Sequence, residues 1–258
     1  MLKVRVIPTL LWKNIGLVKG VGFDSWRRVG SVMPAVKVYN LREVDELILL
    51  DITATEEDRV PDCELVSEVA EECFVPLTVG GGIHTIDDIR NLLLAGADKV
   101  SLNSVVFENP DLISEAAAHF GSQCVVVSID ARKTDTGYEC FSHRGTRATG
   151  REVSALARKV EKMGAGEILI TSVDRDGTME GYDLDLIKLV SDNVDIPVIA
   201  SGGAGSYQHM FEAINYSRAS AVAAASIFHF TQQTPLEAKK YLAERGIPVR
   251  DVNARTNN

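Results

Sequence analysis

No two of the four cysteines, Cys63, Cys73, Cys124 and Cys140, form a CxxC pair, and the five histidines never fall in an HExxH spacing. Those absences exclude the usual structural zinc knuckles and the zinc-protease helix, so reduced thiols are expected, with neither metal nor cofactor. Positive charge is also short. With 27 Lys+Arg against 36 Asp+Glu, the formal charge is −9, which argues against a nucleic-acid partner held on a basic surface while leaving room for small anions bound locally. No apolar run approaches the ~18 residues of a membrane span. The opening stretch MLKVRVIPTLLW carries Lys3 and Arg5 and has no small-residue cleavage site, so no membrane partner is expected and the location is expected to be cytoplasmic.

What is present is enough for one full core. The chain has 258 residues, 45% hydrophobic and 24% charged, close to the ~250 residues of a single α/β barrel. Short β-rich runs recur at Val4–Leu10, Glu46–Asp51, Val75–Val79, Lys99–Leu102, Cys124–Asp130, Glu167–Thr171, Pro197–Ser201 and Ala221–Ala224. Between them, amphipathic periodicity predicts helices over Asp62–Glu72, Thr85–Ala95, Pro110–Phe120, Gly150–Met163, Leu184–Val190 and Thr234–Glu244. Runs as apolar as CVVVSI suit parallel strands covered by helices. The fold class is therefore α/β, a single (β/α)8 TIM barrel, with a doubly wound open sheet as the alternative. One domain over 1–250 is expected, followed by a disordered polar tail, DVNARTNN, over 251–258.

An internal repeat divides the barrel into halves. ELILLDIT from Glu46 matches EILITSVD from Glu167, and TVGGGI from Thr78 matches IASGGA from Ile199, both at an offset of 121. The first and fifth strands correspond at the nearby offset of 119, which makes Leu11 and Asp130 near-equivalents across a pseudo-twofold. After each of these two strands the chain continues into a polar, turn-containing loop.

Chemistry in such a barrel sits at the carboxyl ends of the strands, where Asp51, Asp130, Thr171, Asp174 and Asp176 fall. Gly80–Gly82 and Gly202–Gly203 end two strands related by the repeat, and can let main-chain N–H groups approach an anion. Plain turn glycines are the competing reading. Asn103 and Ser104 on one side, and Ala225 and Ser226 on the other, would complete two anion sites facing across one mouth. An elongated ligand with two phosphates fits that arrangement. Asp130 closes an otherwise apolar strand, where a carboxylate needs either partners or a task, general acid/base work or the fixing of a loop. Lys19, in the hairpin-like stretch GLVKG, brings a cation over the mouth or is an ordinary exposed lysine.

At the opposite ends of the strands stand Arg5, Glu46, Lys99 and Glu167, whose charges sum to zero. They make either a salt-bridged plug for stability or a gate for a small neutral molecule on the barrel axis.

The stretches ELILLDITA, PLTVGGGI, GADKVSLNS, FGSQCVVVSIDA, GAGEILITSVDRDGT, IPVIASGGAG and YLAERGIPVR resemble the cyclase subunit of imidazole glycerol phosphate synthase, the HisF family, along nearly the whole chain. The resemblance implies a bisphosphorylated ligand at the mouth and ammonia supplied through the barrel by a HisH-like glutaminase docked on the bottom. It assigns Gly82, Asn103 and Ser104 to one phosphate site, and Asp176, Gly177, Gly202, Gly203 and Ser226 to substrate binding including the other. Lys19 matches a mobile-loop lysine. Arg5, Glu46, Lys99 and Glu167 match the ammonia gate, and Asp98 and Gln123 match partner-facing positions.

One position departs from the family. Where the cyclase pattern has a Cys-Leu-Asp-Val run, this chain reads Thr9, Leu10, Leu11, Trp12, so Leu11 replaces the first of two catalytic aspartates while Asp130 remains. The pattern at Leu10–Asn14 resembles a HisF-like branch associated with surface-polysaccharide synthesis. That likeness implies a heterodimer with a HisH-like glutaminase, and a separate amidotransferase that converts a nucleotide-linked sugar's acetamido group to an amidine. The alternative is a genuine cyclase of histidine biosynthesis working with one aspartate. A phosphosugar isomerase of the two-aspartate barrel type is disfavoured, since that chemistry needs the missing carboxylate.

Overall fold

Residues 3–14 and 16–250 are described by a computed structural model. The expected tail, 251–258, lies outside the described residues.

In chain order the elements are β1 (Arg5–Lys13), β2 (Gly16–Val21), β3 (Asp24–Gly30), α1 (Val32–Leu41), β4 (Leu47–Asp51), α2 (Cys63–Glu72), β5 (Leu77–Gly80), α3 (Ile86–Leu94), β6 (Lys99–Leu102), α4 (Val105–Glu108) and α5 (Asp111–Phe120). A second series follows: β7 (Val125–Thr134), β8 (Gly137–Ser142), β9 (Arg147–Glu152), α6 (Val153–Lys162), β10 (Glu167–Ser172), α7 (Leu184–Ser191), β11 (Val198–Ser201), α8 (Tyr207–Asn215), β12 (Ala221–Ala224), α9 (Ser226–Phe230) and α10 (Pro235–Ala243).

Eight of the strands pair in parallel in the order β1, β4, β5, β6, β7, β10, β11, β12, and β12 pairs with β1 again, so the barrel closes. Strand alternation then sorts the apolar side chains into two separate cores. Ile7, Ile48, Val126, Leu169, Ile199, Ala221 and Ala223 fill the lumen. Their sequence neighbours, such as Val6, Leu47, Val127 and Ile168, pack outward against the helices.

Local chemistry sets the helix starts. Asp62 accepts from the N–H groups of Glu64 and Leu65 at the head of α2, and Thr85 and Thr234 form capping boxes with Asp88 and Glu237. The helix expected from Gly150 instead starts at Val153. Gly150 takes φ +67 and donates its N–H to Glu139 Oε1, which holds residues 150–152 in β9. Helices α1 and α8 complete the ring. In α1, Pro34 sits in the first turn, where its missing N–H has no intrahelical partner to lose.

Both half-barrels carry the same extension. β1 overruns the barrel and turns into the antiparallel β2–β3 hairpin, and β7 does the same into β8–β9. These hairpins rise from the carboxyl ends of the strands, which is what positions them over the mouth. Among the described residues, no helix is long and apolar enough to cross a membrane.

Candidate functional site

A cavity opens at the carboxyl ends of the barrel strands, walled by Thr9, Leu11, Asn103, Ser104, Asp130, Thr171, Gly202, Gly203, Ala225 and Ser226 and roofed by the β2–β3 hairpin with Phe23 and Trp26. The strap is held by Lys19. Its ammonium is buried and sits 2.5 Å from Asp176 Oδ2, and the Gly22 N–H donates to the Asp176 carbonyl at 2.8 Å. Gly177 allows this closure, because at φ +77 a Cβ would stand 2.2 Å from the Gly20 carbonyl oxygen.

Asp130 is buried in the wall and accepts from Asn103 Nδ2 at 3.0 Å. Burial pushes its carboxyl up to about 7; the Asn103 hydrogen bond opposes that rise, and the nearby Asp176 charge adds to it. An acid poised near neutrality can give or take a proton under ordinary conditions. Across the pseudo-twofold, Leu11 offers only aliphatic surface to the cavity.

The strand-end carboxylates separate by partner. Asp51 accepts from the Thr53 N–H at 3.0 Å, Thr53 Oγ1 at 3.1 Å, the Ala54 N–H at 3.1 Å and Arg59 Nη1 at 2.5 Å, so it fixes the β4–α2 loop. Asp174 lies outside the mouth and pairs with Arg132 at 2.7 Å.

The two Gly-rich corners differ. Gly82 does not line the cavity: its N–H donates to Thr55 Oγ1 at 3.2 Å, and a Cβ there would meet the Arg59 carbonyl oxygen at 1.8 Å. Its glycine serves the close approach of the β4–α2 loop, and Gly81 is the residue of that turn that reaches the wall. At the other corner Gly202, Gly203, Ala225 and Ser226 all line the cavity, and Ser226 Oγ is buried without a partner. Arg144, from the β8–β9 turn, also joins the wall. Nothing in the local sequence marks it, since a basic residue in a polar turn normally faces solvent.

At the barrel's other end, the four charges form a closed ring. Arg5 Nη1 lies 2.7 Å from Glu46 and 2.9 Å from Glu167, while Lys99 Nζ lies 2.8 Å from Glu46 and 3.1 Å from Glu167. Thr78 adds a hydrogen bond to Glu46 at 3.1 Å. Directly above the ring is the apolar lumen. Outside it, Asp98 is exposed and accepts from the Leu77 N–H at 2.8 Å, and exposed Gln123 donates to the Phe120 carbonyl at 3.3 Å.

A family model described as histidine biosynthesis protein matches residues 5–234, the barrel from its first strand to the start of the last helix. The chain belongs to that family. Within the histidine-biosynthesis family the barrel is of the HisA/HisF type, and the repeated halves and paired corners of the mouth are the form it takes here. Among the described residues, no group of three or more His, Cys, Asp or Glu is placed to hold a metal ion.

Proposed function

We propose that this chain is a HisF-like synthase subunit that receives ammonia from a HisH-like glutaminase and conducts it along the barrel axis for amidination of a nucleotide-linked sugar. The observation that carries the reading is the closed ring of Arg5, Glu46, Lys99 and Glu167 beneath an apolar lumen, at the far end from a mouth that has Leu11 opposite Asp130. A ring in which each anion touches both cations is neutral and fully paired, and the lumen above it would strip water from any ion. Neutral ammonia meets a smaller barrier there than ammonium does.

The face around the ring suits a protein partner. Leu41 ends α1, Phe74 follows α2 and Leu94 ends α3, at 83%, 79% and 78% exposure, and all three lie at the helix ends that surround the ring side of the barrel. Large apolar side chains so exposed on neighbouring units favour a docked subunit, with Asp98 and Gln123 on the same side. Cyclisation of a bisphosphate intermediate would need protons handled on both sides of the ligand, and Leu11 removes one carrier.

The alternative, a cyclase of histidine biosynthesis, is favoured by one observation, the carboxyl of Asp130 held near 7. Two assays divide the readings. Mixing the chain with a HisH-like glutaminase is expected to raise glutamine turnover, and no binding with no stimulation would overturn the conduit. Supplying the family's bisphosphate intermediate with free ammonium at alkaline pH is expected to give no turnover, whereas steady turnover would make the chain a cyclase.

A further inference from the structure

One cation at the mouth has no part in conducting ammonia. Among the described residues that line the cavity the cations are Lys19 and Arg144, and Lys19 is committed to Asp176. Arg144 stands at the Ser104 corner, because the His143 N–H donates to Ser104 Oγ at 3.2 Å and the following turn residue, Gly145, packs on Val173 and on Phe23 of the strap. The residue itself is left-handed, at φ +56, a conformation that a long side chain rarely adopts. Its Nη2 is held by the carboxylate of Glu56, on the β4–α2 loop. Its Nε–H is buried and has no acceptor at all.

A buried guanidinium N–H left without an acceptor in a cavity wall is rare and calls for a cause. The guanidinium fork matches a tetrahedral oxyanion, with Nε and one Nη presented side by side. Here the Nε–H is covered and unpaired, and Nη2 rests on a half-exposed carboxylate that can swing into solvent and uncover it.

We propose that Arg144 is an anion-binding residue of the mouth: it takes a phosphoryl group at the Ser104 corner through Nε and Nη2, and Glu56 is a built-in competitor that the incoming anion displaces. The inference deepens the reading of the mouth as a phosphate-binding site and is independent of whether ammonia passes through the barrel. To the phosphate ligand that the family resemblance implies, it adds a cation at the Ser104 corner, apart from Lys19, which is paired with Asp176.

The test is a titration of the full chain with inorganic phosphate, following the backbone amide signals of Ser104 and Ser226 separately by two-dimensional NMR. Arg144→Ala is expected to weaken binding at Ser104 by roughly tenfold or more and to leave Ser226 unchanged. Glu56→Gln is expected to tighten binding at Ser104 by roughly three- to tenfold, a gain that a folding defect cannot mimic. Unchanged affinity at Ser104 in Arg144→Ala, weaker binding in Glu56→Gln, or a phosphate response confined to Ser226 in the unaltered chain would each overturn the proposal. A failure to stimulate a glutaminase would remove the conduit and leave this result standing.

Discussion

Asp130 and Asp51 are both carboxylates at strand ends, yet they do different work because of what faces them. Arg59 and the 53–54 turn satisfy Asp51, whereas buried Asp130 has a single side-chain donor, the Asn103 amide. Sequence alone cannot separate them, since Arg59 lies eight residues past Asp51 in a loop whose path is set only on folding. The consequence for stability follows from the direction of the shift. With its folded pKa raised from 3.8 to about 7, native Asp130 holds a proton that the unfolded chain has already lost, so stability falls as pH rises from about 4 to about 7. Replacing it with Asn should therefore leave the unfolding free energy nearly unchanged at pH 4 and raise it at pH 8 by at most about 4 kcal/mol, read as a higher melting temperature. A variant that melts with the unaltered chain at both pH values would show that Asp130 is not held near neutrality. For chemistry, Leu11→Asp is expected to confer turnover of the bisphosphate intermediate with free ammonium, ~10² to 10⁴-fold above the background loss seen with the unaltered chain.

The eight barrel strands were legible because parallel strands buried on both faces read as short apolar runs, and six helices because their polar and apolar faces alternate with helical period. The elements that escaped notice lack such a pattern. β9 is exposed at nearly every position, so no alternation marks it, and α1 is apolar on most sides with a proline in its first turn. Lys19 could be named in advance from the hairpin-like stretch GLVKG, whereas Arg144, in the turn that leads into β9, could not. Lys19→Met should free the strap from Asp176, and amide exchange across residues 16–30 should speed up by about tenfold or more while the barrel strands stay protected. Gly82→Ala forces a side chain against the Arg59 carbonyl at positive φ, and a loss of about 2–4 kcal/mol in denaturant titration is expected.

Considered as a whole, the molecule is a closed barrel with a neutral charged ring at one end and a cavity roofed by the β2–β3 hairpin at the other. The ring is the more costly end to disturb. Glu46 is 1% exposed and contacts Arg5, Lys99 and Thr78, so Glu46→Gln leaves two cations short of charge and should destabilise the fold by about 3–5 kcal/mol. Arg5→Ala, at the more exposed edge, should cost less, and in a complex with a glutaminase it should let glutamine-derived ammonia escape into the medium. Comparing ammonia released with glutamate formed would measure that leak.

The lid also sets a clock. Because the buried Lys19–Asp176 pair forms part of the cavity lining, a ligand that takes the place of the strap there must wait for the pair to part, and that parting is a unimolecular event. In stopped-flow mixing, the observed association rate should then climb with ligand concentration only to a ceiling, and that ceiling is the opening frequency of the strap itself. Lengthening the β2–β3 turn should move the ceiling without moving the equilibrium constant measured once the strap has closed again over the same contacts.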